Sequence, residues 1–186
     1  GGFGARGTQG KIDAIQYARK FNIPFFGICL GMQLAVIEIA QNVLNIKNAN
    51  SSEFKHTSNS VIGLMTEWNK DNKIEKRSKN SNKGGTMRLG SYKAKLKKNS
   101  KIYSIYNKQL ISERHRHRYE VNKKFISKFN NKGYYFSGMS PDGMLPEVLE
   151  SKNHKWFIGV QYHPELKSRP LKPHPLFVSF IKNCKK

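Results

Sequence analysis

The stretch "NIPFFGICLGMQLAVIEIAQNVL", residues 22 to 44, changes its period once, at Cys29. Asn22 and Pro24 open a short, continuous apolar run that ends at Ile28, the pattern of a strand buried on both faces of a sheet. From Leu30 onward the spacing is helical. At the junction stands Gly27-Ile28-Cys29-Leu30-Gly31, the thiol counterpart of the G-x-S-x-G nucleophile elbow. Such a turn strains the central residue, and side chains two positions either side would collide with it or with neighbouring strands. A cysteine there also lies at a helix N-terminus, where the dipole and free amides favour a thiolate and supply a donor for an oxyanion. The alternative is an ordinary small buried thiol.

Upstream, "TQGKIDAIQYARKF" (8 to 21) sets Ile12, Ile15, Ala18 and Phe21 near helical spacing, with Lys and Arg between them. Helix, buried strand and helix joined by short connections predict an α/β layered domain with its active site at the carboxyl end of the strand. Farther along, "VIGLM" (61 to 65), "GTMRLGSYKAKL" (85 to 96) and "WFIGVQYHPE" (156 to 165) read as strands, and "HPLFVSFIKNC" (174 to 184) as a closing amphipathic helix. The polar segment from about 69 to 84 reads as a mobile loop. No repeat and no second-domain boundary is visible.

The 186 residues suffice for one substantial domain, and 37% hydrophobic content is enough for its core. Lys and Arg total 34 against 12 acidic residues, a net charge of +22 that raises the question of a nucleic-acid partner. The lysines are scattered among asparagines, as in "NKDNKIEKRSKNSNKG" (69 to 84), so a solvated, compositionally biased surface is the preferred reading over a dedicated nucleic-acid face. Two cysteines, Cys29 and Cys184, without paired spacing or a secretory leader, point to a reducing compartment, the cytoplasm. No apolar stretch approaches the roughly 20 residues needed to cross a bilayer. The chain opens on "GGFGARG" without an initiator methionine, which suggests a fragment of a longer one.

A thiolate needs a base. His163, in "GVQYHPE", follows an apolar run and precedes Pro164, so it belongs at a strand end on the edge where the elbow lies. Glu165 is placed to fix the tautomer of that imidazole, which gives a Cys-His-Glu arrangement. The opening "GGFGARG" matches G-x-G-x-x-G, yet no strand precedes it and no acidic residue follows at the required distance, so a local role in exposing main-chain amides is preferred. His115 and His117, in "RHRHR", would share one face of a strand. Without a nearby Cys or carboxylate set, a metal pair is disfavoured against an Arg-rich anion or carboxylate site.

With these residues in hand, the sequence resembles the glutamine amidotransferase part of CTP synthases. "GGFGARGTQGKI", "IPFFGICLGMQ", "NANSSEF", "GGTMRLG", "RHRHRYEVN", "QYHPE" and "HPLF" all stand in that family's order and cover essentially the whole chain. The elbow and the His-x-Glu would be shared with amidotransferases of other synthases, such as GMP synthase, whereas "GTMRLG" and "RHRHRYEVN" single out CTP synthase. The resemblance implies a flavodoxin-like class I amidotransferase fold, a mostly parallel sheet flanked by helices. It implies that the first strands and the N-terminal synthase domain lie outside this chain, which is then a partial amidotransferase domain over 1–186.

By the same resemblance Cys29 is the nucleophile, His163 the acid/base and Glu165 its orienting residue, with the amides of Gly2 and Leu30 as oxyanion hole. Glutamine would be held by Gly2, Leu30, Gly31, Met32, Gln33, Glu53 and Arg118, the carboxylate of Glu53 suiting the substrate ammonium and Arg118 its carboxylate. Phe3 and Arg6 would lie in the lid region that GTP engages. The domain itself needs no cofactor or metal; the full enzyme is implied to be a homotetrameric ligase of pyrimidine biosynthesis that uses ATP, Mg²⁺ and UTP, with GTP as activator. The rival readings are the amidotransferase of another class I synthase, a basic nucleic-acid-binding module, and an inactive structural fragment.

Overall fold

The computed structural model describes residues 1–55, 57–64, 67–70, 73–76 and 87–185. In chain order the elements are α1 (Thr8–Lys20), β1 (Phe25–Ile28), α2 (Leu30–Asn42), β2 (Asn50–Ser51), β3 (Ser60–Leu64), β4 (Glu67–Lys70), β5 (Lys73–Lys76), β6 (Arg88–Leu96) and α3 (Lys101–Tyr106). They continue as β7 (Leu110–His117), β8 (Tyr119–Val121), α4 (Ile126–Asn130), β9 (Tyr134–Met139), β10 (Pro146–Ser151), β11 (Phe157–Val160) and α5 (Pro175–Cys184). β4 and β5 pair as a short hairpin that overlaps the segment expected to be a mobile loop. The rest of that expectation, together with Met65 and the first residues of "GTMRLG", lies outside the described residues.

The main sheet has the order β1-β11-β10-β9-β6-β7, and β2-β3-β8 form a second, smaller one. The α/β class holds, but the mostly parallel sheet expected from the sequence is mixed among the described residues. Only β1 and β11 run parallel in the main sheet, while β10, β9, β6 and β7 join antiparallel. Connection length is the physical reason. β9 to β10 and β10 to β11 are joined by segments of a few residues, which can only reverse the chain, whereas parallel neighbours need a long crossover. In the first of these turns Gly143 takes φ 70°, and the Asp142 carboxylate accepts from the Met144 amide at 3.0 Å.

α2 is buried on every side because it lies between the main sheet and β2-β3-β8. Leu34, Ala35, Val36, Ile37, Ile39 and Ala40 are all 1% exposed or less and pack with Val61, Ile62, Phe136, Leu149 and Phe157. Ile158, Val160, Tyr162, Ile102 and Leu176 form the core on the opposite face of the sheet. The one charged side chain buried on α2, Glu38, is held by Arg19 of α1 at 2.6 and 2.8 Å, which fixes α1 against α2.

The first turn of α2 approaches the sheet unusually closely because Gly27 and Gly159 face each other in register on β1 and β11. A Cβ on Gly27 would lie 2.8 Å from the carbonyl carbon and oxygen of Gly31, and one on Gly159 3.0 Å from Met32 Cγ. Gly31 behaves differently from the expectation that both elbow glycines relieve a clash. A Cβ there would meet nothing within 4 Å, in the groove between α1, β1 and α2.

Candidate active site

Cys29 sits between β1 and α2 at φ 52° and ψ −105°, a positive-φ backbone that a non-glycine residue adopts only under constraint. Its amide donates to the Val160 carbonyl at 2.7 Å, closing the β1-β11 ladder at this residue. Helix α2 begins at the next residue, so the helix N-terminus points at the thiol. The side chain is 2% exposed. Burial pushes the thiol up to about 12, opposed by the Leu30 amide and the Gly1 amino group and reinforced by the carboxylates of Glu120 and Glu165. The resting group is therefore a thiol, and a base must take its proton during reaction.

His163 lies three residues beyond Val160, which pairs with Ile28, so nucleophile and imidazole leave adjacent parallel strands at the same edge of the sheet. Such neighbours are about 4.8 Å apart. Strand β7 contacts both: the Arg116 carbonyl lies 4.0 Å from Cys29 Sγ, and the His163 amide donates to the Arg114 carbonyl at 2.8 Å. His163 Nδ1 is 2.5 Å from Glu165 Oε1, and its Nε2 is buried without a hydrogen-bond partner among the described residues. The ring nitrogen left over for proton transfer is thus Nε2.

The remaining candidates divide into those gathered at this edge and those turned away from it. Gly1 and Gly2 run past the site: a Cβ on Gly1 would lie 3.3 Å from His163 Cε1, and one on Gly2 3.4 Å from Leu30 Cδ2. Glu53 Oε1 accepts from the Gly4 amide at 3.0 Å, which ties the glycine-rich segment to the turn after β2. Arg118 stands half-buried between β7 and β8. Met32, fully buried, packs its side chain against β11, and Gln33 donates to the Tyr119 carbonyl and to Gln161 Oε1, so both side chains point into the protein. Phe3 is half-exposed with the Arg116 guanidinium 6.0 Å from its ring, while Arg6 is exposed on the turn leading into α1.

Behind the site lies a buried charged network among residues that sequence reasoning leaves unassigned or reads otherwise. Arg88 reaches Glu120 at 3.1 Å and Glu147 at 2.7 Å, and stacks 4.4 Å over the Tyr92 ring. His115 Nδ1 and His117 Nε2 are 2.9 Å apart, within hydrogen-bond distance of each other. Burial, then Arg88, holds both histidines well below their ordinary range, hence neutral. Burial pushes Glu120 up to about 8 against the pull of Arg88. Among the described residues no group of three or more His, Cys, Asp or Glu is arranged to hold a metal. The period of β7 carried part of the signal for this network: buried His115 and His117 alternate with exposed Arg114 and Arg116.

A strained cysteine elbow on a mixed α/β sheet, with a carboxylate-held histidine just beyond the end of the next strand, defines a class-I glutamine amidotransferase domain. The chain belongs to that family, glutamine amidotransferase class-I, which matches residues 1–183. Within it the chain is of the CTP synthase type. It is 64% identical over 185 residues to the CTP synthase of Pelagibacter ubique, covering 100% of this chain and 34% of the relative. To the CTP synthase of Agrobacterium fabrum it is 62% identical over 181 residues, 97% of this chain and 33% of the relative. It therefore spans about a third of the length of these relatives.

Among solved structures, the glutaminase domain of Trypanosoma brucei CTPS with bound acivicin superposes with a TM-score of 0.87 at 37% identity, covering 99% of this chain and 68% of that one. A putative GMP synthase subunit of Thermoplasma acidophilum shares the fold, with a TM-score of 0.57 at 15% identity over 95% of this chain and 64% of that one. None of the described helices is long and apolar enough to cross a membrane.

Proposed function

We propose that this chain is the glutaminase half of a CTP synthase, cleaving L-glutamine and supplying the ammonia that aminates UTP. The observation that carries the assignment is the Cys29 elbow at φ 52°, set in register beside the strand that leads to His163 and Glu165. The CTP synthase side of it is supported by the identities of 60 to 64% to relatives of that name.

In this mechanism His163 takes the Cys29 proton at Nε2 and the thiolate attacks the side-chain amide carbon of glutamine. The amides of Gly2 and Leu30 receive the oxyanion. His163 returns the proton to the departing nitrogen, leaving ammonia and a γ-glutamyl thioester, and water then cleaves the thioester with the same imidazole as base. Glu165 keeps Nδ1 engaged throughout. Glu53 and Arg118 bind the α-ammonium and α-carboxylate, and Gly31, Met32 and Gln33 shape the site through their backbone. Phe3 and Arg6 belong to a GTP-responsive lid, an aromatic face and a cation suited to a guanine nucleotide. ATP, Mg²⁺ and UTP are assigned to a synthase domain of the same polypeptide, in a cytoplasmic homotetramer.

The test is the full-length protein carrying Cys29→Ala. Amination of UTP with glutamine should be abolished while amination with free ammonium persists. Glutamine-dependent CTP formation by this variant would refute the assignment, and absence of CTP from the unaltered protein under either nitrogen source would point to another class I synthase.

A further inference from the structure

Cys29 must be carried as a thiolate through part of the cycle in a site that excludes water. A buried sulfur anion needs hydrogen-bond donors, and a neutral donor is the cheapest to keep in place. The charged groups around Sγ are Glu120 from β8, Glu165 after β11 and the amino group of Gly1, and both carboxylates oppose the anion. Once His163 has taken the proton its imidazolium faces the sulfur too; the neutral side-chain donor that faces it among the described residues is Gln161, the residue after β11.

Gln161 is fully buried, and its Nε2 lies 3.8 Å from Cys29 Sγ. Its orientation is fixed by a relay. Gln33 gives one N–H to the Tyr119 carbonyl at 2.8 Å and the other to Gln161 Oε1 at 3.2 Å. With its oxygen occupied by that donor, the amide of Gln161 can turn only its N–H₂ toward the sulfur. The backbone is equally constrained, because the Gln161 amide donates to the Glu147 carbonyl at 2.9 Å. A contact of 3.8 Å is long for a neutral thiol, and a thiolate draws such a donor closer.

We infer that the side-chain amide of Gln161 is a neutral donor that stabilises the Cys29 thiolate beside the His163 imidazolium, and that Gln33 is the positioning residue that aims it. The inference rests on Cys29 being the nucleophile. It also explains why Gln33, at the first turn of α2, turns its side chain inward, toward Tyr119 and Gln161.

The test is Gln161→Met in the full-length protein, which keeps the volume and removes the donor. The readouts are the acid limb of kcat/KM for glutamine and the pH dependence of Cys29 alkylation by iodoacetamide, followed on the Cys29 peptide by mass spectrometry. Loss of one hydrogen bond to a charged sulfur should move both profiles up by about one pH unit and slow the reaction at about pH 7 by about tenfold. Gln33→Met should move them the same way by less. Superimposable profiles for Gln161→Met and the unaltered protein would overturn the inference. Should Gln161→Met alone fail to fold, Gln33→Met/Gln161→Met removes both partners and leaves neither amide stranded, and its profiles decide on the same criterion. An unaltered protein whose Cys29 resists both iodoacetamide and a glutamine-mimicking electrophile would instead overturn the nucleophile assignment itself.

Discussion

Replacing Glu120 by glutamine should make the domain less sensitive to alkaline pH. In the folded state burial pushes this carboxyl up to about 8 from an ordinary 4.5. Its folded form therefore binds more protons than its unfolded form across that interval. The stability it contributes is complete below about 4.5 and is lost as pH rises through about 8. At about 1.4 kcal/mol per pH unit the ceiling on that loss is about 5 kcal/mol, and a loss of at least about 2 is expected. In the Glu120→Gln variant the side-chain amide would keep an oxygen for the Arg88 guanidinium, now 3.1 Å from Glu120 Oε1, without ever ionising. His115 and His117, held neutral, act with the opposite sign, since they stabilise above their unfolded range and lose that contribution as pH falls. They are present in both proteins, so the difference between Glu120→Gln and the unaltered protein reports the titration of residue 120 together with that of Glu147, whose buried carboxylate interacts with it. Urea-dependent hydrogen exchange of the α2 peptides, at about pH 5.5 and about pH 8.5, on either side of most of that loss, measures it in the intact protein. The variant should match the parent at the lower pH and exceed it at the higher one. An equal difference at both pH values would refute the reasoning.

Arg19→Met leaves Glu38, which is fully buried, without its cationic partner and with only the Asn42 amide, at 3.2 Å, as hydrogen-bond donor among the described residues, and should weaken α1-α2 packing by about 3 to 5 kcal/mol, read as lost exchange protection in Thr8–Lys20. Gly27→Ala drives a Cβ to 2.8 Å from the Gly31 backbone, and since α2 is too buried to retreat, about 1 to 3 kcal/mol of stability and most glutaminase activity should be lost, measured by urea unfolding and ammonia release. Glu165→Gln should lower kcat by about 10- to 100-fold with little change in KM, because it disturbs the Nδ1 side of His163, the hydrogen bond that orients the imidazole.

Period and punctuation make the site's local frame legible. Residues 8 to 21 and 30 to 44 read as helices and fold as Thr8–Lys20 and Leu30–Asn42, and the apolar run ending at Ile28 is the strand β1. Asn22 and Pro24 are legible as turn residues, and Asn22 indeed takes a positive φ of 54°. Long-range pairing is not legible. Whether β11 meets β1 in parallel and β10 in reverse depends on connections and on which apolar faces meet across the chain. Arg88, Glu120 and Glu147 come from three strands far apart in sequence, so their shared burial cannot be read from any one segment. Gln161 stands within a quoted motif, yet its meaning lies in Gln33, 128 residues away.

The most direct test of the central claim is to mix the full-length protein with glutamine, quench in acid within a turnover, and map the peptides by mass. A γ-glutamyl group on the peptide containing Cys29, absent from the Cys29→Ala protein, is the predicted result. Glutamine hydrolysis proceeding with no adduct at that sulfur, and surviving its removal, would contradict the account.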